Sequence, residues 1–477
     1  MVPPIDKFYV DAGLYDEEAG VCRLPETLVC QAPADSISED SVSDKGSSSY
    51  SLSRLAYEAF GRPNTAPRSS IWDTNPLKMS GWSLLAGLPG CSGDPEEAPV
   101  LGDPIAFVES LGGETTLNSQ PILGNIDGIG LSGDGSNSSV VWSAFDGTHP
   151  ENTGTFAFLR SGSTGGSQAT VSSDASSKHL DTSGAVLSNG QTAVIYSKTT
   201  GDEDPSSLVV QRVNASGAPE GPEIQILAPS LRTSIPSGQI LALDNGFVVV
   251  YRDGEGQLAA KTYDLTGHEV ASNPSLGAEP RSYSLARGDG DHWVLAEINP
   301  PNQIHVRSFE GINSGGVDTN IHTSAFPSDP DISVAMQETG NIMVAWNAQS
   351  GSGTSLDERI EGATLGASGS ITEGPFTIRS SQLAHTLALA SDHRGNFVFA
   401  WEEGNEGHRS INARIYDGSS HFITPADFSS ISNGDNSNVY ASVSTDGVLS
   451  FVYDKSTTTS GTTSHSITRR DYRITYE

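Results

Sequence analysis

Lysine is nearly absent from this chain, with seven in 477 residues (Lys7, Lys45, Lys78, Lys178, Lys198, Lys261 and Lys455), whereas Asp and Glu together number 58. The resulting formal net charge of −32 repels phosphate backbones and anionic lipid alike. Nucleic acid is excluded as a partner on that ground, and a membrane is reachable only through a covalent anchor. Cysteine is as scarce: Cys22, Cys30 and Cys91 are the three, so residues 103–477 hold neither a cysteine nucleophile nor a thiolate metal site. Cys22 and Cys30 are close enough in sequence to pair, which leaves one over. No run approaches the roughly eighteen apolar residues of a membrane-spanning helix. HExxH, GxSxG, the Walker loop and the dinucleotide-binding glycine fingerprint are all missing, and the eleven histidines form no i, i+4 pair.

What the chain does have is an internal repeat of about fifty residues, present seven times from Asp103 onward. Its clearest copies are DNGFVVVYRD from Asp244, ETGNIMVAWN from Glu338, HRGNFVFAWEE from His393 and TDGVLSFVYDK from Thr445. Each is a turn, an apolar run and an aromatic. The aromatic falls at Trp142, Tyr196, Tyr251, Trp346, Trp401 and Tyr453, and Ala296 takes its place in the copy GDGDHWVLAE. A short run of small and apolar residues precedes each turn, as in ISVA from Ile332. Two further strand-like runs follow, as in INARIYDG from Ile411 and GPEIQIL from Gly221.

Four short strands per repeat with no helical periodicity predict an all-β fold: a seven-bladed β-propeller of four-stranded blades. Small residues on the first strand suit a crowded centre, and the aromatics are expected to pack between blades. The last repeat stops one strand short, whereas DPIAFVES from Asp103 resembles the fourth strands elsewhere. Ile105–Val108 is therefore expected to pair with the strand around Ile467–Tyr472, covering an otherwise open sheet edge.

Three regions follow: a low-complexity or extension segment over 1–78, a signal-and-tether segment over 79–102, and the propeller over 103–477. Residues 33–54 are rich in Ser and Asp and hold scarcely any large apolar side chain, which predicts a largely disordered N-terminal extension. YSLSRLAYEAFGR from Tyr50 reads as one short helix. The stretch MSGWSLLAGLPGC, ending at Cys91 and followed by SGDPEEAP, resembles a bacterial lipoprotein signal. That resemblance implies lipidation at Cys91, with Ser92 in the next position typical of outer-membrane sorting; the alternatives are an exposed linker cysteine and a disulfide partner. The repeats themselves resemble those of uncharacterised secreted and lipoprotein β-propellers of bacteria, which implies an extracytoplasmic location at the cell surface or outer membrane.

The loops between second and third strands vary in length and composition, and variable loops on a rigid scaffold are where binding concentrates. The polar residue just past each aromatic (Arg252, Asn347, Glu402 and Asp454, with Ser143 and Ser197) marks the same rim. These are the candidate binding residues for a protein or glycan ligand on one face of the ring. Closely spaced acids (Asp289 and Asp291; Asp202 and Asp204) are the candidates for a structural calcium, and no other cofactor is expected. The recurring arginines Arg160, Arg212, Arg307, Arg414 and Arg470 fall on the third strand, away from the channel, as blade-surface residues. A non-catalytic binding or scaffolding module is the reading these features favour. The alternatives are an extracellular carbohydrate-active enzyme with its site at the channel mouth, and a structural component of a virion or surface appendage.

Overall fold

The computed structural model describes residues 21–23, 29–31 and, apart from short loop segments, 105–476. Two compact units divide the chain: one holds Met1–Phe107 with His421–Asp427 and Tyr476–Glu477, the other Val108–Ser420 with Phe428–Thr475. In the first, β1 (Val21–Arg23) and β2 (Val29–Gln31) pair antiparallel with Cys22 opposite Cys30, and Ala106 N–H donates to the Ile423 carbonyl at 3.0 Å. The expected tract at 33–54, the helix from Tyr50 and the motif at Cys91 lie outside the described residues.

The second unit is the propeller, and among the described residues it contains no helix. β3 (Ala106–Ser110) and β4 (Thr115–Thr116) come first in the chain. Blade 1 is β5 (Asn125–Gly133), β6 (Asn137–Phe145), β7 (Gly154–Ser161) and β8 (Ser167–Ser172). Blade 2 is β9 (Lys178–Val186), β10 (Thr192–Thr199), β11 (Ser206–Val213) and β12 (Ile224–Ser230). Blade 3 is β13 (Ser237–Leu243), β14 (Gly246–Arg252), β15 (Leu258–Asp264) and β16 (Glu269–Gly277). Blade 4 is β17 (Ser282–Arg287), β18 (His292–Asn299), β19 (Gln303–Glu310) and β20 (Asn313–His322). Blade 5 is β21 (Ile332–Met336), β22 (Ile342–Ser352), β23 (Ser355–Leu365) and β24 (Ile371–Ser380). Blade 6 is β25 (Ala384–Ser391), β26 (Phe397–Glu403), β27 (Ser410–Tyr416) and β28 (Phe428–Ile431). Blade 7 is β29 (Asp435–Val443), β30 (Val448–Thr459) and β31 (Thr462–Tyr476), with β3 as its fourth strand. The closure expected from Ile105–Val108 is thus present, shifted along the chain by a residue or two. β4 adds a short pairing to the same edge, Thr116 opposite Thr468.

Burial falls from the second strand outward, which explains the sequence pattern of each. β14 reads GFVVVYR and is buried on both faces, so it is apolar without alternation, whereas the outer β16 is mostly exposed and polar. First and second strands of blades 2, 5, 6 and 7 are joined by the same five-residue turn, with Gly190, Gly340, Gly395 and Gly447 at φ +78 to +86°. Only glycine takes that conformation without strain, which is why the turn recurs as TDG, ETG or HRG. Near the axis the inner strands press together. A Cβ on Gly184 would stand 2.9 Å from the Val141 methyls, and one on Gly130 would stand 3.0 Å from the Gly184 nitrogen.

The recurring aromatics are all core. Trp142, Tyr196, Trp346, Trp401 and Tyr453 are at most 1 % exposed, and Trp142, Tyr196 and Trp346 share clusters with a neighbouring blade. Trp142, for example, meets Val452 and Ile467 of blade 7, and Tyr251 meets Ile195 and Leu208 of blade 2. In blade 4 the register corrects the expectation for Ala296. The aromatic stands five residues past the residue that closes the turn: Gln191 to Tyr196, Asn341 to Trp346, Asn396 to Trp401 and Val448 to Tyr453. In blade 4 the closing residue is His292, so the equivalent position is Glu297. Ala296 points to the other face, toward blade 5. The blade's large aromatic is Trp293, stacked on Phe309 with ring centroids 4.2 Å apart.

The third-strand arginines lie away from the channel; Arg160, Arg212 and Arg414 act as pegs between blades, whereas Arg307 pairs with Glu297 of its own blade at 2.8 Å. Arg160 of blade 1 pairs with Asp471 of blade 7 at 3.1 Å, and Arg212 of blade 2 donates to the Leu265 carbonyl of blade 3 at 2.8 Å. Arg414 of blade 6 donates to the Ile378 carbonyl of blade 5 at 2.8 Å while its guanidinium lies over Trp401.

Candidate functional site at the channel mouth

The seven first strands surround a channel enclosing about 600 Å³. Antiparallel pairing places the start of each first strand beside the end of the second, as in Ser237 opposite Arg252 and Ser437 opposite Asp454. The rim expected from sequence therefore lies at the end of the ring where the first strands begin, one strand out from the channel. Its residues are mostly buried and engaged. Glu402 is 1 % exposed, pairs with Arg409 at 3.0 Å and accepts the Asn438 N–H at 3.3 Å. Asp454 is buried and bonded to His465 at 2.8 Å. Asn347 N–H donates to the Asp331 carbonyl at 3.1 Å. Arg252 donates to the Pro280 carbonyl at 2.9 Å, with its guanidinium over the Tyr283 ring.

At four of the six positions the polar residue past the aromatic of one blade supports the entry to the inner strand of the next: Ser143 bonds Thr182, Ser197 bonds the Pro236 carbonyl, Arg252 holds Pro280 and Tyr283, and Glu402 holds Asn438. Asn347 and Asp454 bond within their own blades. Sequence shows that the position is polar. It does not show that the polarity faces a neighbouring backbone.

Four of the inner strands are irregular at this end. β5, β9, β25 and β29 each carry a register shift against the second strand there, whereas β13, β17 and β21 pair without interruption. Two of the bulges put non-glycine residues in the left-handed region, Asp181 at φ 50° and Asn438 at φ 57°. Bulges re-aim side chains and break local pairing. Here they turn the mouth from a plain barrel end into an uneven polar opening.

Asp181, Asp331, Tyr283 and Tyr440 line this opening, with Gln239 and Ser183 deeper in. Asp181 is exposed. Asp331 accepts the Ile332 and Leu387 N–H groups, each at 3.0 Å. Burial, followed by the charges of Asp331 and Asp181, pushes the Tyr440 hydroxyl up to about 12. Burial likewise raises Tyr283, against the opposing influence of Arg252. Both phenols are neutral donors at ordinary pH.

The calcium candidates fall elsewhere. Asp291 Oδ1 accepts the Asp244 N–H of the neighbouring blade at 2.9 Å, and the Asp289 carbonyl accepts the His292 N–H at 3.1 Å within its own turn. Asp202 and Asp204 lie outside the described residues. Among the described residues, no three His, Cys, Asp or Glu side chains converge as a metal site requires.

No protein-family model and no curated protein matches the chain. Solved structures do. The BP39L lectin from Burkholderia pseudomallei is 14 % identical over 71 % of this chain and 94 % of that one, with a TM-score of 0.51. An ulvan lyase of polysaccharide lyase family PL25 is 10 % identical over 72 % and 93 %, at 0.45. The fucose-specific lectin of Aleuria aurantia is 11 % identical over 66 % and 96 %, at 0.40. At these identities the likeness is one of fold, and it is the propeller that is shared.

Proposed function

We propose that this propeller is a non-catalytic glycan-binding module whose ligand enters the channel at the end where the first strands begin. The observation that carries the reading is the bulged mouth itself. Asp181 and Asn438 are kept in a left-handed conformation, which costs on the order of 1 kcal/mol or more per residue, beside an opening that offers two tyrosines and two carboxylates. Strain of this kind persists where the surroundings impose it, and here Ser143 and Glu402 reach across from other blades to do so.

A sugar matches this chemistry: its C–H face packs on a phenol ring, and its vicinal hydroxyls donate to carboxylates while accepting from tyrosine O–H. Binding is favoured over catalysis because the phenol of Tyr440 is held neutral rather than as a nucleophilic phenolate, and both Asp331 oxygens are taken by backbone N–H groups. The shared fold with a bacterial lectin is in keeping with this reading.

A panel of oligosaccharides titrated calorimetrically against the wild-type chain, Asp181→Ala and Tyr440→Phe tests it. Binding that weakens by about ten-fold or more in either variant is expected, the loss of one or two hydrogen bonds to charged or buried partners. No binding to any glycan, or equal binding by all three proteins, ends the reading. The proposal also includes an extracytoplasmic lipid tether at Cys91, supported by the LPGC motif alone. Incorporation of labelled palmitate by the wild-type chain and not by Cys91→Ser, in a bacterial host, is the expected result; equal labelling would remove it.

A further inference from the structure

Blades 7 and 1 are joined beside the mouth, where β30 passes into β31, and one histidine sits at the joint. His465 and Ile122 form an isolated antiparallel bridge: Ile122 N–H donates to the His465 carbonyl at 3.0 Å, and His465 N–H to the Ile122 carbonyl at 2.8 Å. Earlier in the same segment, Leu117 N–H donates to the Ile467 carbonyl at 2.8 Å, and Asn118 Oδ1 accepts the Ile467 N–H at 2.8 Å. Leu117 and Ile122 both belong to the core cluster that holds Trp142 of blade 1. Three residues after Ile122, β5 begins and runs into the bulge between Ile126 and Ile129. On the other side of His465 the hairpin projects into solvent, with Thr457, Thr458, Thr459, Thr462 and Thr463 exposed.

The His465 ring lies among charges that it helps to balance. From β30 it meets Asp454, with Nδ1 2.8 Å from Oδ2; Asp454 is 4 % exposed, and its Oδ1 has no hydrogen-bond partner among the described residues. From β29 it feels the charge of Asp435, whose Oδ2 accepts the Ser456 hydroxyl at 3.4 Å. Arg409 of blade 6 stands 3.4 Å from Asp435 Oδ1 and pairs with Glu402 at 3.0 Å. Lys455 alternates to the other face of the hairpin, where it pairs with Glu114. Residues 117–122 include no titratable side chain. Of the three carboxylates gathered here, Arg409 answers Glu402 and Asp435, and His465 is the cation beside Asp454.

We infer that this joint is a proton-dependent latch: protonated His465 holds the entry to blade 1 against blade 7, and loss of the proton frees that entry and with it the blade 1 side of the mouth. The latch works whether or not a glycan occupies the channel. An imidazolium satisfies Asp454 by charge as well as by hydrogen bond, whereas a neutral ring leaves a buried carboxylate with no cation beside it. Fraying the exposed end of the hairpin brings water to Asp454, and the bridge to Ile122 parts with it. The bond to Asp454, opposed by burial and aided by the charges of Asp454 and Asp435, holds His465 above its ordinary pKa. A raised histidine contributes fully below the unfolded value of about 6.5, and the contribution is lost as pH climbs through the folded value. The latch is therefore shut in acid and loosens as pH rises past that folded value.

Amide exchange of the full chain from about pH 5 to about pH 9, expressed as protection relative to the intrinsic rate at each pH, provides the test. It is followed at Ile122 and His465 in the wild-type chain, His465→Gln and Asp454→Asn, with Val249 and Phe399 of the buried second strands as references. Gln keeps a neutral donor where the ring stood, and Asn removes the charge that the ring answers. In the wild-type chain, protection at Ile122 and His465 is expected to fall by about ten-fold across the range, the worth of one hydrogen bond to a charged group, while the references keep theirs. In both variants protection at the two amides is expected to be independent of pH. Constant or rising wild-type protection, the same pH dependence in all three proteins, or a parallel fall at Val249 and Phe399 would each overturn the latch. The wild-type profile and either variant suffice, so a single misfolded variant leaves the test decisive.

Discussion

Glu297 occupies the position that an aromatic fills in the other six blades, and its surroundings explain how a carboxylate can stand there. It is 2 % exposed, with Arg307 Nη2 2.8 Å and His305 Nδ1 3.0 Å from its Oε1, and His305 reaches on to Asp318 at 2.7 Å through Nε2. Removing one partner of such a buried set leaves the others uncompensated, so Glu297→Ala is expected to destabilise the fold by about 3–5 kcal/mol, measured by denaturant unfolding. The His305 side chain is held above its ordinary pKa, chiefly by its bond to Glu297 against the opposing effect of burial. A raised histidine favours the protonated fold, so its contribution is complete below the unfolded value of about 6.5 and is lost as pH climbs through the folded value. The melting-temperature gap between the wild-type chain and His305→Gln should therefore be widest near pH 5 and close on the alkaline side; a gap that grows with pH contradicts the clasp. Sequence could not fix this position. Val294, Leu295 and Ala296 are apolar on both faces of a doubly buried strand, and without an aromatic to mark the register, a shift of one residue leaves no trace in composition.

Strands one and two carry most of what was legible. Their turns repeat because a positive φ demands glycine, and their apolar runs repeat because a second strand is buried on both faces; the blade pattern is therefore written in residue types. The links between blades are less visible because they join residues a full repeat apart. Ser132 Oγ accepts the Val186 N–H at 2.7 Å, and Ser333 Oγ accepts the Leu389 N–H at 2.9 Å, so that serines of one inner strand satisfy the exposed backbone edge of the next. In sequence these serines look like small residues chosen for space alone. Ser333→Ala leaves the Leu389 N–H without that partner and should cost about 1–3 kcal/mol, with faster amide exchange at Leu389; unchanged exchange would reduce the serine to a space filler. The bulges at Asp181 and Asn438 were hidden for a related reason. A bulge is a mismatch between two strands, and neither strand alone records it.

At the scale of the whole ring, one seam joins the two ends of the chain. Blade 7 takes three strands from the C-terminal region and its fourth, β3, from the N-terminal side, with Leu111 N–H donating to the Asp471 carbonyl at 3.0 Å. The closure was legible because a last repeat one strand short and an early run resembling a fourth strand have one arrangement that leaves no edge open. Neighbouring contacts reinforce the seam: Arg160 pairs with Asp471, Arg469 donates to Ser138 Oγ at 2.9 Å, and Trp142 of blade 1 packs on Val452 and Ile467 of blade 7. Fastening the ring this way closes a loop of more than three hundred residues, which costs entropy, and that cost is offset only while β3 stays paired. Deleting residues 103–110 removes that strand and bares the long outer edge of β31, which becomes a template for a second chain. The shortened protein is expected to melt at least 5 °C lower, as a loss of a few kcal/mol produces in a large domain, and to form higher oligomers by light scattering. A monomer with an unchanged melting temperature would show that the seam holds through blades 1 and 7 alone and that β3 merely covers it.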